Sequence, residues 1–375
     1  MKNEKIHVVF GLNGLPMGGM ERQFIELVKR LDRNVFAITL ITLFQFPGKT
    51  ELYDQLPADI TVHKLSFSGV RDIRNWWRLY RLVKHLRSDV LVSSLFFANT
   101  AFRLIKPLVG YTCIAREHNT YRDKPLLHRL IDRVLSWWTY RIVAVSTTVA
   151  DFTAIQEGIS RKKFLVIHNG IDTAEMRAQL LALPEKAVLR EEFNIPHDAY
   201  VLLNIARLAP QKNHELLIDG FALFHKDHPE AVLVIVGEGD LRPVLEEQAR
   251  AKGVSSAVRF FGLRRDVERF YKVADCFIST SHIEGLSNAY LEALAAGLPL
   301  IATKTGGTDE LLEHGKNGYS ISNPSSLEVA EAMRQVYAMD CDILKEQAHM
   351  SAESFSMDST MKKYTTLLVG AVSTH

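Results

Sequence analysis

Long apolar runs are missing from this sequence. No stretch of the 375 residues reaches the about eighteen apolar positions that a membrane-spanning helix requires, so no spanning segment is expected. Cysteine is scarce. Cys113, Cys276 and Cys341 lie far apart and are odd in number. The first two sit inside apolar runs, which reads as buried reduced thiols rather than a disulfide or metal site, and a cytoplasmic setting is expected. Short repeats and low-complexity tracts are absent. The opening, Met1 to Phe10, sets charges directly before a strand-like run with no small-residue cleavage site, so no secretion signal is expected.

What is present is ordinary for a globular protein: 47% hydrophobic and 23% charged residues. The length suits two domains better than one core. Net charge is +2, yet residues 1–178 carry 26 Lys and Arg against 16 Asp and Glu, whereas residues 179–375 carry 19 against 27. A +10 half and a −8 half suggest two domains with different partners. The basic half suits an anionic membrane surface, a phosphorylated acceptor or nucleic acid, although no recognised nucleic-acid module appears.

Short β-branched runs alternate with segments of helical period, the pattern of a parallel sheet with crossover helices. Strands are expected at 6–12, 36–44, 60–65, 89–95, 111–118, 141–146 and 164–168, with helices at 20–31, 72–87, 100–109, 125–139 and 147–158. A connector around a helix, 173–198, interrupts the pattern. Strands resume at 200–206, 231–236, 258–262, 276–280, 298–302 and 319–321. The expected fold is therefore α/β, two doubly wound Rossmann-like domains in tandem. Ligands of such sheets bind beyond the carboxyl ends of the strands.

Four loops at such ends are rich in chemistry. The segment Ser279 to Leu294 passes from a strand into a helix opening near Ser287, where free amides and the positive dipole end suit a diphosphate. Glu284 and Glu292 bracket that position. Two carboxylates beside an anion make sense as acceptors for sugar and ribose hydroxyls; alternatively Ser287 is a plain N-cap and Glu292 a solvated charge. In Asn204 to His214, Arg207 and Lys212 are cations five residues apart before a helix opened by Asn213. They either clamp a diphosphate or form a solvated basic loop. Gly18-Gly19 after the first strand permits close approach of phosphate or sugar, and the spacing does not satisfy the dinucleotide fingerprint. Arg116-Glu117-His118-Asn119 closes a strand, with His118 a general base, a sugar ligand or a structural histidine.

Together these loops resemble the family 4 glycosyltransferases. The matching pieces are Gly18-Gly19, His118, Ile167 to Asp172, Arg207 with Lys212, Val236 to Gly239, Phe261-Gly262-Leu263, Glu284 to Asn288 with Glu292 in an E-x7-E pattern, and Gly306 to Glu310. They span nearly the whole chain in order. The resemblance implies the GT-B fold, two domains facing a cleft. It implies metal-independent transfer with retention at the anomeric carbon and no cofactor, the nucleotide-sugar being a substrate. Arg207 and Lys212 would bind the diphosphate, joined by the backbone around Gly285, Leu286, Ser287 and Asn288. Glu292 would bind ribose, Leu263 the base, and Glu284 the sugar hydroxyls. His118 would touch the sugar or position the acceptor, and Gly18 and Gly19 would leave room. The resemblance also implies a terminal helix, 356–375, returning to the first domain, so that residues 1–178 with that helix bind acceptor and 179–355 bind donor. UDP is the expected nucleotide from family frequency.

The acceptor is expected to be a lipid-linked or cell-surface glycan. Arg74, Arg78, Arg81 and His85 fall on one helical face, with Ile73, Trp76, Trp77, Tyr80 and Val83 on another; Arg129 to Arg133 with Trp137-Trp138 form a similar cluster. Peripheral contact with the inner face of the cytoplasmic membrane is one reading. The other, preferred for the tryptophans, packs them on the sheet and leaves the arginines solvated. A sugar-nucleotide 2-epimerase and a non-catalytic nucleotide-sugar-binding partner are the alternative functions.

Overall fold

The computed structural model describes residues 5–373. The first four residues, which carry the opening charges, and residues 374 and 375 at the end of the expected terminal helix lie outside the described residues. Thirteen strands form two wholly parallel sheets. In the first, β1 (Ile6–Leu12), β2 (Phe36–Thr42), β3 (Thr61–Lys64), β4 (Val90–Ser94), β5 (Thr112–Glu117), β6 (Arg141–Ala144) and β7 (Phe164–Val166) lie in the order β3-β2-β1-β4-β5-β6-β7. In the second, β8 (Val201–Ile205), β9 (Val232–Val236), β10 (Val258–Phe260), β11 (Cys276–Ser279), β12 (Leu300–Thr303) and β13 (Gly318–Ile321) lie in the order β10-β9-β8-β11-β12-β13. Strand order reverses between β1 and β4 and again between β8 and β11. Each reversal opens a crevice beyond the strand ends.

The strands are apolar on both faces because helices cover both faces. Side chains of alternate parity along β1 enter different cores: Val8, Phe10 and Leu12 one, Val9 the other. Gly11 is required there, since a Cβ would overlap the ring of Phe102 on helix Phe96–Val109. Some helix starts are capped by local side chains, as where Asp72 Oδ1 accepts from the Asn75 amide (3.1 Å) and Ser146 Oγ from the Val149 amide (3.1 Å). No described helix is long and apolar enough to cross a membrane. Cys113 and Cys276 are buried free thiols, and Cys341 is exposed.

Two compact units result: residues 1–169 with 358–375, and residues 170–357. The division falls at 169/170, not at 178. Helix Thr173–Ala182, capped by Asp172, packs against helix Glu268–Val273 of the second unit, which carries the chain break forward. The 173–198 segment is two helices rather than one, Thr173–Ala182 and Lys186–Glu192, separated at Pro184. The last helix, Met357–Val372, buries Tyr364, Leu367, Leu368 and Ala371 in the core of the first unit, and Thr112 Oγ1 donates to the Ala371 carbonyl (3.0 Å).

The tryptophans correct the sequence reading. Trp76 packs edge-on against Phe67 and donates Nε1–H to the Val70 carbonyl (2.9 Å). Trp77, Trp137 and Trp138 do not pack on the sheet and stand exposed. Helical period alone does not tell adjacent tryptophans on one helix apart, nor place aromatics that follow a helix.

Candidate active site

In the second unit the crevice between β8 and β11 gathers most of the residues singled out above. The loop after β8 runs through Arg207 into a one-turn helix, Pro210–Lys212, and then helix His214–His225. Its neighbours stitch it in place. Ala206 and Leu208 donate backbone N–H groups to the carbonyls of Val236 and Glu238, both at 3.0 Å. Gly237 (φ +145°) lies so close to the Ala206 carbonyl that no side chain fits there.

The loop after β11 is bonded to the same segment. His282 N–H donates to the Gln211 carbonyl and Gln211 Nε2 to the Ile283 carbonyl, both at 2.9 Å, and Thr280 Oγ1 donates to the Asn213 carbonyl (2.8 Å). Beneath, Asn204 Nδ2 donates to the Ile278 carbonyl (2.7 Å), so its Oδ1 faces His214 Nε2 at 3.0 Å as an acceptor. His214 therefore carries its proton on Nε2. Burial, reinforced by the Lys212 charge, pushes its pKa down to about 4, so it is a neutral donor at ordinary pH. Asn213 precedes the helix as expected but adopts a left-handed conformation (φ +49°) and makes no side-chain cap.

At the mouth of this crevice Lys212 Nζ pairs with Glu284 Oε1, and Ser281 Oγ donates to the same oxygen at 2.8 Å. Glu284 is buried, not open to solvent. Arg207 is exposed and forms no ion pair among the described residues. Ser287 stands at the N-cap of helix Asn288–Ala295 without bonding its side chain to the helix amides. Glu292, on the second turn, is half-buried and accepts from the Tyr271 hydroxyl (2.8 Å). It is not a free surface charge. Gly285 and Leu286 are buried, Asn288 is half-buried, and Leu263 is exposed on the loop after β10. Gly307 N–H donates to the Gly285 carbonyl (2.5 Å), and Gly306, in a left-handed conformation (φ +50°), packs on the Glu284 carbonyl.

The remaining candidates belong to the first unit. Gly18 is the extended N-cap of helix Gly19–Arg30, which puts the helix start one residue earlier than expected. His118 follows β5. Burial and the neighbouring Arg116 charge hold it well below the usual histidine range, and its Nε2 has no hydrogen-bond partner. Arg116 is itself buried, with Nε and Nη1 unpaired, and its guanidinium lies over the Tyr364 ring at 5.5 Å. On the other face of β5, Lys124 bridges Asp132 (2.5 Å) and Glu157, while Arg103 also pairs with Asp132. Burial and the nearby Glu117 and Asp132 charges raise Glu157 to about 8. This network escaped the sequence because its members are scattered over four elements.

An Asp-x-Asp triplet, Asp340-Cys341-Asp342, opens a helix of the second unit. Asp340 Oδ1 accepts from the Asp342 (2.9 Å) and Ile343 (3.2 Å) amides and caps helix Cys341–Glu353.

Sequence comparison matches the model "Glycosyltransferase Family 4" over residues 17–175 and the model "Glycosyl transferases group 1" over residues 185–355. An alpha-monoglucosyldiacylglycerol synthase of Acholeplasma laidlawii is 30% identical over 158 residues, 42% of this chain and 40% of that protein. The match spans about half the length, or less, of the first curated relatives: 40%, 52% and 56%. A UDP-Gal:alpha-D-GlcNAc-diphosphoundecaprenol alpha-1,3-galactosyltransferase of Escherichia coli is 23% identical over 81% of both chains. Among solved structures, Anabaena HepE in complex with UDP superposes with a TM-score of 0.83 at 19% identity, covering 97% of this chain and 100% of that one. WaaG, a glycosyltransferase involved in lipopolysaccharide biosynthesis, gives a TM-score of 0.74 at 18% identity, covering 97% of this chain and 100% of its own. The fold likeness is complete in extent, and the two sequence models fall one on each half of the chain. The chain belongs to the family 4 glycosyltransferases.

Proposed function

We propose that this protein transfers a hexose-type sugar from a nucleotide diphosphate, UDP by preference, to a lipid-linked or cell-surface glycan acceptor in bacterial polysaccharide or lipopolysaccharide synthesis. The observation that carries the donor half is the bonding of the β8 and β11 loops to each other. That bonding presents unpaired Arg207, the Lys212–Glu284 pair and the start of helix Asn288–Ala295 in one crevice. A diphosphate there meets two cations and the positive end of a helix dipole.

In this reading Arg207 and Lys212 neutralise the leaving diphosphate in place of a metal ion. The bond between the anomeric carbon and the diphosphate oxygen breaks. The acceptor hydroxyl attacks from the same face, giving retention, and its proton passes to the departing phosphate. Glu284 holds donor-sugar hydroxyls and Glu292 ribose hydroxyls, with Leu263 against the base. In the first unit, His118 positions the acceptor, and Gly18 and Gly19 leave room for it. Names of relatives support the acceptor class: one makes a glucosyldiacylglycerol and another extends a diphosphoundecaprenol-linked sugar. The protein acts at the inner face of the cytoplasmic membrane as a peripheral, cytoplasmic enzyme.

Thermal shifts with UDP, GDP and ADP, each with and without magnesium, test the donor reading. Stabilisation by UDP that is unchanged by magnesium supports it. Stabilisation only with magnesium overturns the metal-free mechanism, and no shift with any nucleotide overturns the donor site.

A further inference from the structure

We propose that three neighbouring helices of the first unit form a face that docks on an anionic lipid bilayer. Helices Ile73–Leu86, Phe96–Val109 and Leu126–Leu135 pack side by side in that order. Their inner sides are spent on the core through residues such as Leu79, Val83, Phe102 and Leu135. An ordinary surface helix then shows water a polar outer side. These helices carry apolar stripes on that side as well. Ile73 and Trp77 are one turn apart and 81% and 60% exposed. Leu104 and Leu108 repeat the spacing on the second helix, and Leu126, Leu130 and Val134 on the third, with Leu126 70% exposed. Trp137, just beyond, is 77% exposed. Aligned apolar stripes on adjacent helices mark an interaction surface rather than scattered exposure.

Charge selects the partner. The first two helices contain no Asp or Glu. Asp132, the acid of the third, is buried beneath Arg103 and Lys124. Asp72, the N-cap of the first helix, is half-buried and turned into hydrogen bonds with Ser68 and Asn75, and the exposed Asp89 and Asp123 lie on the loops after the first helix and before the third. Arg74, Arg78 and Arg81 are exposed along the first helix beside the Ile73–Trp77 stripe, and Arg133 on the third. A soluble polyanion would match the arginines and leave the tryptophans and leucines wet. A neutral apolar partner would cover those and strand the cations. An anionic bilayer satisfies both, headgroups meeting arginine while tryptophan and leucine enter the interface. The inference deepens the proposed lipid-linked acceptor by naming the surface that reaches it. It rests on that reading only for the acceptor's identity.

The test is sedimentation of the full chain with phosphatidylcholine vesicles, with and without phosphatidylglycerol, at low and high salt. Binding is expected with phosphatidylglycerol and weakened by salt. Combined Leu126→Glu, Leu130→Glu and Trp137→Glu should lower the partition coefficient by at least about tenfold. Arg74→Gln, Arg78→Gln and Arg81→Gln should each cost roughly fivefold, on anionic vesicles only. All six positions are exposed and outside the donor crevice, so the UDP-induced thermal shift should persist. Equal binding to both vesicle types, no binding, or variants that bind like the parent would overturn the proposal. So would a concentration-dependent dimer lost in the leucine and tryptophan variant, because a second copy would then be the occupant. Vesicle binding without any UDP shift would instead sink the donor reading and leave the surface standing.

Discussion

Lys212 and Glu284 are 72 residues apart in sequence and form an ion pair across the point where the order of the second sheet reverses. The pair joins the loop after β8 to the loop after β11, and Ser281 shares the same carboxylate oxygen. Each side chain is largely withdrawn from water, with 21% of Lys212 and 11% of Glu284 exposed. Removal of the ammonium leaves a nearly buried carboxylate with one hydroxyl donor.

Lys212→Ala should therefore do two things. Transfer should fall by at least about a hundredfold as a cation at the leaving diphosphate is lost. Stability should fall by about 1–3 kcal/mol, because the Glu284 charge is left short of a partner. Lys212→Ala with Glu284→Gln should recover part of that stability and none of the activity. Thermal unfolding of the four proteins in the cycle measures the coupling, and strict additivity would show that the pair is not energetically joined.

Gly306 supplies a sharper structural test of the same loop. Its φ of +50° disfavours a side chain, and a Cβ would overlap the Glu284 carbonyl. Gly315 has a similar φ of +77° with open space around it. Gly315→Ala should cost only about 1 kcal/mol for the backbone. Gly306→Ala should cost more and displace the Glu284 loop, abolishing the UDP-induced thermal shift. Equal behaviour of the two variants would contradict the close packing of Gly306 on that loop.

All thirteen strands lie where alternating apolar runs place them, because a parallel sheet buried on both faces leaves a dense local signature. β1 matches residue for residue. The boundary between units was displaced because Thr173–Ala182 is polar enough to read as a linker, yet Met176 buries into the second unit. Arg207, Lys212, Glu284 and Glu292 were legible as residue types at strand ends. Their pairing was not, since Lys212–Glu284 and Tyr271–Glu292 join separate loops and elements. Likewise nothing local told Trp76, which packs on Phe67, from its exposed neighbour Trp77.

Arg116 offers a prediction of opposite sign to most core substitutions. Its guanidinium is buried beside Tyr364, with two nitrogens lacking partners. A buried charge without a counter-ion is costly, and an apolar side chain of similar length removes that cost. Arg116→Met should stabilise the nucleotide-free protein by about 1 kcal/mol, read as a higher thermal midpoint, after the lost ring contact and hydrogen bond with Tyr364 are counted. It should also raise the pKa of His118 towards the usual range, since Arg116 is one of the two causes of its depression. A fall in stability would show that the arginine is satisfied where it lies.

The Lys124 network predicts how stability follows pH. Glu157 is an acid whose folded pKa is raised from 4.5 to about 8, by burial first and then by Glu117 and Asp132, against the pull of Lys124. Between these values the folded chain retains a proton that the unfolded chain has released. Raising the pH through this window therefore favours unfolding. The contribution of Glu157 is complete below about pH 4.5 and is lost as pH passes 8. Glu117, also raised by burial, acts in the same direction. Glu157→Gln keeps a carbonyl oxygen for Lys124 and removes the titration. Its thermal midpoint should decline less than the parent's between about pH 5 and pH 9, with the gap widest at the alkaline end. Parallel curves for the two proteins would mean that Glu157 is ionised throughout and that Lys124 alone balances the cluster.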